Sequence, residues 1–198
     1  MPASSIIQKS RIYATHIIVE ELSNGFVYHN LDHTLSVFSN SLLLAKPYNL
    51  SEEEMEILAI AALFHDVGYL NVYQGHELAS EQIATEFLLR EGYPPDKTKA
   101  VNACIHATIV TEPPKSISEE IIKDADLASL GSENFEDFSS RLRQEWQHFC
   151  NELYTDKEWY QINYNFLNNH KFFTKEANRL FGPGKEVNLG RMKELLGM

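Results

Sequence analysis

The apolar residues of this chain recur at intervals of three and four residues along almost its whole length. This is the spacing of one face of an α-helix. The stretch Gln8–Leu22 shows it at Ile12, Tyr13, Ile17 and Ile18. No run of alternating apolar and polar residues is long enough to predict a strand. The sequence therefore predicts an all-α fold, a helical bundle.

Capping and breaking residues divide this pattern into separate helices. Ser51 followed by three glutamates predicts an N-terminal capping box, and Asp96 is predicted to cap another helix. Gly92 with the two prolines after it predicts a helix end, and residues 181–184 predict a turn. The predicted helices are Gln8–Leu22, Ser51–Phe64, Glu77–Arg90, Asp96–Ala107, Ser118–Leu130, Phe135–Leu153, Lys157–His170 and a last short one over Leu189–Leu196.

Length and composition favour one domain in a reducing compartment. The chain has 198 residues, 43% of them hydrophobic, which is enough to bury an ordinary core. Its two cysteines form no CxxC motif, as is usual for a reduced cytosolic protein. The N-terminus lacks the pattern of a secretory signal, and the longest apolar run, Ile57–Phe64, is too short to span a membrane. We expect a soluble, cytoplasmic protein with no membrane partner.

The formal net charge of −11 bears on the class of partner. A field of this sign repels a polyanion at long range, so long nucleic acids are poor candidates. A small anionic substrate stays possible, because a bound metal ion inverts the local potential.

The histidines carry the chemical signal. Five of the eight fall between positions 29 and 106. His29 and His33 are four residues apart and would share one face of a helix. His65 and Asp66 are adjacent at the end of an apolar helix. Adjacent side chains diverge by about 100° on a helix, so both reach one ion only where the helix ends or bends. Gly68 could supply that irregularity.

Asp126 lies within an otherwise apolar helix, where an unpaired buried carboxylate is costly and a metal ion removes the cost. Imidazole and carboxylate ligands together suit Mn, Fe, Co, Ni or Zn, and Mg is also compatible with the carboxylates. The alternative is a set of unrelated histidines that form hydrogen bonds in the core.

The order of these residues resembles the H…HD…D signature of the HD-domain metal-dependent phosphohydrolase superfamily. The matching segments are YHNLDH at 28–33, LFHDVGY at 63–69 and DADL at 124–127. The resemblance covers about residues 20–131. It implies a single HD-type domain over residues 1–198, with a metal site between central helices and C-terminal helices 133–198 packed on the motif core.

The resemblance also implies a set of ligands for one or two divalent metal ions. The first ion would be held by His33, His65, Asp66 and Asp126. Asp66 could bridge to a second ion, for which His76 and His106 resemble the extra histidines of the dinuclear branch. Each of these two histidines could instead be structural or support another ligand.

The run Tyr-His-Asn-x-x-His at 28–33 is similar to that of cyclic-nucleotide phosphodiesterases, where the first histidine protonates the leaving oxygen. This makes His29 a candidate general acid, or alternatively a capping or hydrogen-bonding residue. Asp124 and Glu77 are candidates to orient a ligand or to help activate water. The implied reaction is attack of a metal-activated water on phosphorus in a small phosphorylated substrate such as a nucleotide.

Two other functions stay open from the sequence. Some proteins with this kind of fold hold two irons through six His/Asp ligands and activate dioxygen, and His76 and His106 are compatible with such a site. The chain could also be a non-catalytic metal-binding helical module, whose acidic surface or aromatic-rich tail binds a partner. The oligomeric state is not readable from the sequence.

Overall fold

The computed structural model describes residues 5–198, and these residues form helices and connecting segments without a strand. The all-α prediction is confirmed. The nine α-helices of the described chain are α1 Ser5–His16, α2 Leu31–Ala45, α3 Glu52–Phe64, α4 His76–Arg90, α5 Pro95–Ala107, α6 Ile117–Asp126, α7 Phe135–Phe149, α8 Asp156–Asn169 and α9 Lys175–Leu196. None of these described helices combines the length and apolar character that crossing a membrane requires.

Contacts divide the chain into two compact units. The first contains the described residues up to Ser23 together with His29–Asp126, and so holds α1 to α6. The second contains Asn24–Tyr28 and Leu127–Met198, with α7 to α9. The packing of helices 133–198 on the motif core stays a prediction.

Helix α3 is the central helix of the first unit. Ser51 and Glu54 form the predicted capping box, in which each side chain accepts a hydrogen bond from the other residue's backbone N–H. Every residue of Ile57–Phe64 is buried, because α3 contacts α1, α2, α5 and α6. A helix enclosed in this way is apolar on all sides rather than along one stripe. Its C-terminal end therefore lies inside the unit.

The structure differs from two of the sequence predictions near the starts of helices. His29 precedes α2, so it does not share a helical face with His33; Asn30 is the N-cap and accepts a hydrogen bond from the His33 N–H at 3.2 Å. Asp96 is not a cap but lies in the first turn of α5, which begins at Pro95. Proline is favourable there because the first helical residue needs no N–H partner.

The prediction of a turn at residues 181–184 is wrong, since α9 continues through Pro183. Gly184 serves close packing instead of a turn. A Cβ on Gly184 would lie 2.0 Å from the carbonyl oxygen of Gly131, so α9 approaches the 3-10 turn Leu127–Gly131 backbone to backbone. Asn188 on α9 donates hydrogen bonds to the carbonyl oxygens of Leu130 and Ser132, at 2.8 Å and 2.9 Å. These contacts hold the helix across the proline.

Candidate metal centre

The end of α3 brings His65 and Asp66 to one point. Helical geometry persists to His65 (φ −54°, ψ −34°), whereas Asp66 has φ −109° and ψ −1°. The chain leaves the helix at this residue and enters the 3-10 turn Val67–Leu70. The divergence expected for neighbouring helical side chains is thereby removed.

Helices α2 and α6 add His33 and Asp126 to this point, and four side-chain atoms lie close together. His33 Nε2 is 3.2 Å from His65 Nε2, and Asp66 Oδ2 is 3.3 Å and 3.1 Å from these two nitrogens. Asp126 Oδ1 is 3.1 Å and 3.6 Å from the same nitrogens. Ligands about 2.0–2.2 Å from a common ion are separated by about 2.9–3.5 Å at octahedral or tetrahedral angles. The donor atoms of His33, His65 and Asp66 lie within 4.8 Å of one another and so fit a single ion, and Asp126 Oδ1 adjoins both imidazoles.

The protonation of the cluster also fits a metal ion. His65 Nδ1 donates a hydrogen bond to the Ala62 carbonyl oxygen at 2.9 Å, so Nε2 is the nitrogen that faces the carboxylates and that would bind a cation after losing its proton. Asp66 Oδ2 is buried and makes no hydrogen bond with the described part of the chain. A group of buried acceptors is unfavourable by itself, and a divalent cation satisfies all of them at once.

The charges of the carboxylates dominate the titration of the cluster in the absence of a metal ion. Burial by itself lowers the pKa of His33, but the adjacent carboxylates of Asp126 and Asp66 outweigh it and raise the pKa to about 9. The pKa of His65 is raised for the same reasons, against the effect of burial. The pKa values of Asp66 and Asp126 stay below their usual range despite burial, because the imidazoles stabilise the carboxylates.

His76, the first residue of α4, faces the other oxygen of Asp66. Its Nε2 lies 3.2 Å from Asp66 Oδ1, and its Nδ1 lies 3.3 Å from the Tyr73 carbonyl oxygen and 3.6 Å from Glu77 Oε2. Nδ1 thus has two acceptors for its proton, as His65 Nδ1 has one, and Nε2 is left to bind a cation. Asp66 therefore has Oδ2 next to His33 and His65 and Oδ1 next to His76.

His29 lies at the edge of the cluster, next to Tyr69. Its Nε2 is 3.3 Å from the Tyr69 hydroxyl, and its ring centre is 5.6 Å from that of His33. The Tyr69 ring also stacks on His76, with centroids 3.8 Å apart and an angle of 15°. Sequence reasoning missed Tyr69, although it closes the LFHDVGY segment that drew attention to His65 and Asp66.

The structure places Asp124 and Lys123 in the interior of the first unit. Asp124 has 0% of its surface exposed and lies two residues before Asp126 on α6. Lys123 is buried as well, and its Nζ donates hydrogen bonds to the carbonyl oxygens of Ala107, the last residue of α5, and of Ile109. Burial lowers the pKa of Lys123. These hydrogen bonds to the backbone connect α6 to the end of α5.

The structure does not bring His106 to the cluster in the described chain. Its Nδ1 lies 2.9 Å from Glu81 Oε1, and 40% of its side chain is exposed. These two residues line a pocket of about 260 Å³ between α4, α5 and the segment 112–119, which Lys99 and Lys115 also line. This is just below the usual volume of small-molecule sites.

Comparisons with known proteins agree with this geometry. Residues 30–129, about half of the chain, match the sequence model of the HD domain. A search of curated proteins gave no match.

Three solved structures share the fold at low identity. A protein described as a predicted HD superfamily hydrolase from an uncultured Thermotogales bacterium has 15% identity and a TM-score of 0.63, covering 96% of this chain and 91% of its own. A Listeria innocua protein has 15% identity and a TM-score of 0.68, with 98% and 96% covered. A Lactobacillus plantarum protein has 16% identity and a TM-score of 0.72, with 98% and 97% covered. The matched residues include His33, His65, Asp66 and Asp126, and the chain belongs to the HD domain family.

Proposed function

We propose that the chain is a metal-dependent hydrolase of phosphate esters in a nucleotide or another small phosphorylated metabolite. The observation that carries the proposal is the cluster of His33, His65 and Asp66, whose donor atoms have the mutual spacing of ligands on one ion, with Asp126 Oδ1 3.1 Å from His33 Nε2. HD domains bind divalent metals, and a structural neighbour is described as an HD superfamily hydrolase.

The geometry favours one complete site and one adjacent partial site. His33, His65, Asp66 Oδ2 and Asp126 would hold the first ion. Asp66 Oδ1 and His76 would contribute to a second. The contact of His106 with Glu81 favours His76 over His106 as the ligand there. Mixed nitrogen and oxygen donors suit Mn, Fe, Co, Ni or Zn, with Mg compatible where carboxylates dominate.

Each remaining candidate has a task in this reaction. A bound divalent metal supplies an acidified water and neutralises charge on the phosphoryl oxygens. His29 protonates the leaving oxygen, because its ring lies beside His33 and its Nε2 already exchanges a hydrogen bond with Tyr69. Glu77 orients His76 from 3.6 Å, and buried Asp124 supports the end of α6 that carries Asp126.

The pocket lined by His106 and Glu81 would receive the non-reacting part of the substrate. Glu81 follows His76 by five residues on α4, a rise of about 7.5 Å along the helix. Lys99 and Lys115 line the same pocket together with Glu81, Glu112 and Glu119, so the pocket would suit an uncharged polar part of the substrate. A cytoplasmic location and the absence of nucleic-acid or membrane partners belong to this proposal.

The oxygenase alternative needs six His/Asp ligands at one centre. The described structure brings five of the candidates together and leaves His106 on Glu81. This arrangement favours hydrolysis over a di-iron site. The position of His29 beside the cluster favours catalysis over a non-catalytic metal-binding module, because metal binding alone does not require a proton donor there.

A phosphate-release screen tests the proposed function. The metal-free protein should be assayed on nucleoside phosphates, cyclic nucleotides and dinucleoside polyphosphates with Mn, Mg, Co or Ni. We expect release from at least one class, loss of release with EDTA, and loss in Asp66→Ala. Release that survives in Asp66→Ala would refute the mechanism, and iron content with oxygen consumption but no phosphate release would favour the oxygenase.

Two histidine variants distinguish the role of the general acid from that of the metal site. His29→Ala should keep its metal content and lower kcat by roughly 10²–10⁴-fold, the usual contribution of a positioned acid. His16→Ala is the matched control, because His16 is exposed at the end of α1 and pairs only weakly with Glu21 at 3.4 Å. Equal activity of the two variants would remove His29 from the mechanism.

A further inference from the structure

One buried hydroxyl spans the turn that carries Asp66. Ser80 of α4 has 0% of its surface exposed. Its Oγ donates a hydrogen bond to the His65 carbonyl oxygen at 2.7 Å and accepts one from the Gly68 N–H at 2.8 Å. The two partners flank Asp66 on either side in the sequence. The hydroxyl therefore fixes both ends of the turn against α4.

The contact between this turn and α4 is closer than any side chain allows. A Cβ added to Gly68 would lie 1.9 Å from the His76 carbonyl oxygen and 2.5 Å from the Ser80 N–H nitrogen. The backbone of the turn thus rests directly on the first helical turn of α4. Any residue larger than glycine would have to push the two apart.

This contact sets the relation between Asp66 and His76. His76 and Ser80 are four residues apart on α4 and share a face. The same face therefore carries the ligand 3.2 Å from Asp66 Oδ1 and the hydroxyl that holds the turn. Three of the four donors of the first site, on His33, His65 and Asp126, lie on α2, on the C-terminal end of α3 and on α6, whereas both donors of the second site lie on the two segments that Ser80 joins.

We propose that Ser80 and Gly68 form a clamp that positions the second metal site, made by Asp66 Oδ1 and His76, and that affects the first site less. The clamp acts through Asp66 and His76, so both of its members are positioning residues. The inference rests on the proposed metal centre but not on the identity of the substrate.

Manganese titration of the metal-free protein tests the clamp. The unbound Mn²⁺ is followed by its EPR signal, and no substrate is needed. The wild type should bind two ions. Ser80→Ala should retain the first ion within about threefold in affinity and bind the second roughly 10–100-fold more weakly, as expected for loss of a supporting contact. Gly68→Ala should give the same split without loss of a hydroxyl, and His76→Ala should bind one ion.

Ser41→Ala is the matched control. Ser41 is a fully buried serine of α2 whose Oγ has no hydrogen-bond partner among residues 5–198. This variant should bind both ions like the wild type. Circular dichroism establishes folding, and two independent clamp variants guard against failure of one to fold.

The results separate the clamp from the proposed function. Wild-type binding of only one ion, equal weakening of both ions in the clamp variants, or unchanged binding in Ser80→Ala would overturn the clamp. Absence of phosphate release with the expected split of affinities would instead refute the hydrolase and leave the clamp standing.

Discussion

Replacing Asp66 with asparagine should remove most of the thermal stabilisation that a divalent metal gives the protein. Asp66 Oδ2 lies within 3.3 Å of two imidazole nitrogens, and Oδ1 lies 3.2 Å from a third. Asparagine keeps the shape of the side chain but removes the negative charge that the two carboxylate oxygens share. No other candidate ligand contacts three imidazoles in the described cluster, so this change removes the most from metal binding.

The expected magnitude follows from mass action. At a metal concentration of 100 times Kd, binding stabilises the folded wild type by about 2.7 kcal/mol. Each kcal/mol shifts the Tm of a chain of this size by about 2–4 °C, so the metal should raise it by about 5–10 °C. If the variant binds about 100-fold more weakly, the gain falls to about 0.4 kcal/mol and the rise to about 1–2 °C.

Differential scanning fluorimetry with EDTA-treated protein measures this effect, with Mn²⁺ added or omitted. Each variant is compared with its own metal-free form, so that any change in basal stability cancels. Asp32→Asn is the matched control, because it removes the same charge from an exposed position next to His33 in the sequence. A metal-dependent rise in Asp66→Asn equal to that of the wild type would refute the ligand assignment.

Three further predictions address pH, thiol reactivity and stability. Because the pKa of His33 is raised to about 9 without metal, protonation stabilises the metal-free fold fully below about pH 6.5 and is lost as the pH rises through 9. Metal competes with that proton, so the metal-dependent rise in Tm should grow between about pH 6 and pH 8.5, and a flat profile would contradict this. Burial raises the pKa of the Cys104 thiol to about 12, so an aromatic disulfide reagent at about pH 8 should label only Cys150 in native protein and both cysteines in urea. Lys123→Met should lower the free energy of unfolding in urea by about 2 kcal/mol, because two carbonyl oxygens lose a charged donor, while metal stoichiometry is retained; an unchanged midpoint would contradict it.

Local signals predicted the helices well where capping and burial agree. The capping box at Ser51 and the apolar run after it predicted α3 almost to the residue, because both signals act within the helix itself. Residues 181–184 were misread because Gly-Pro-Gly is a turn signal only in isolation. The approach of Gly131 to Gly184 is a tertiary contact between distant segments, which no local pattern contains.

The residues of the site also divide into those that the sequence predicts and those that only tertiary contacts reveal. The order of His33, His65-Asp66 and Asp126 predicted residues that the structure brings together, because these residue types are rarely placed in a core without a charged partner. Ser80 was not predicted, since a serine inside a helix carries no chemical signal until its partners are known. Tyr69 was not predicted either, because its contact with His29 joins residues that are distant in the sequence.

A crystal structure of the Mn²⁺-loaded protein, with anomalous scattering recorded at the manganese edge, tests the central claim most directly. The predicted result is an anomalous peak at about 2.0–2.3 Å from four atoms. These atoms are His33 Nε2, His65 Nε2, Asp66 Oδ2 and Asp126 Oδ1. A manganese ion bound elsewhere, or a well-ordered cluster without a peak in saturating Mn²⁺, would contradict the account.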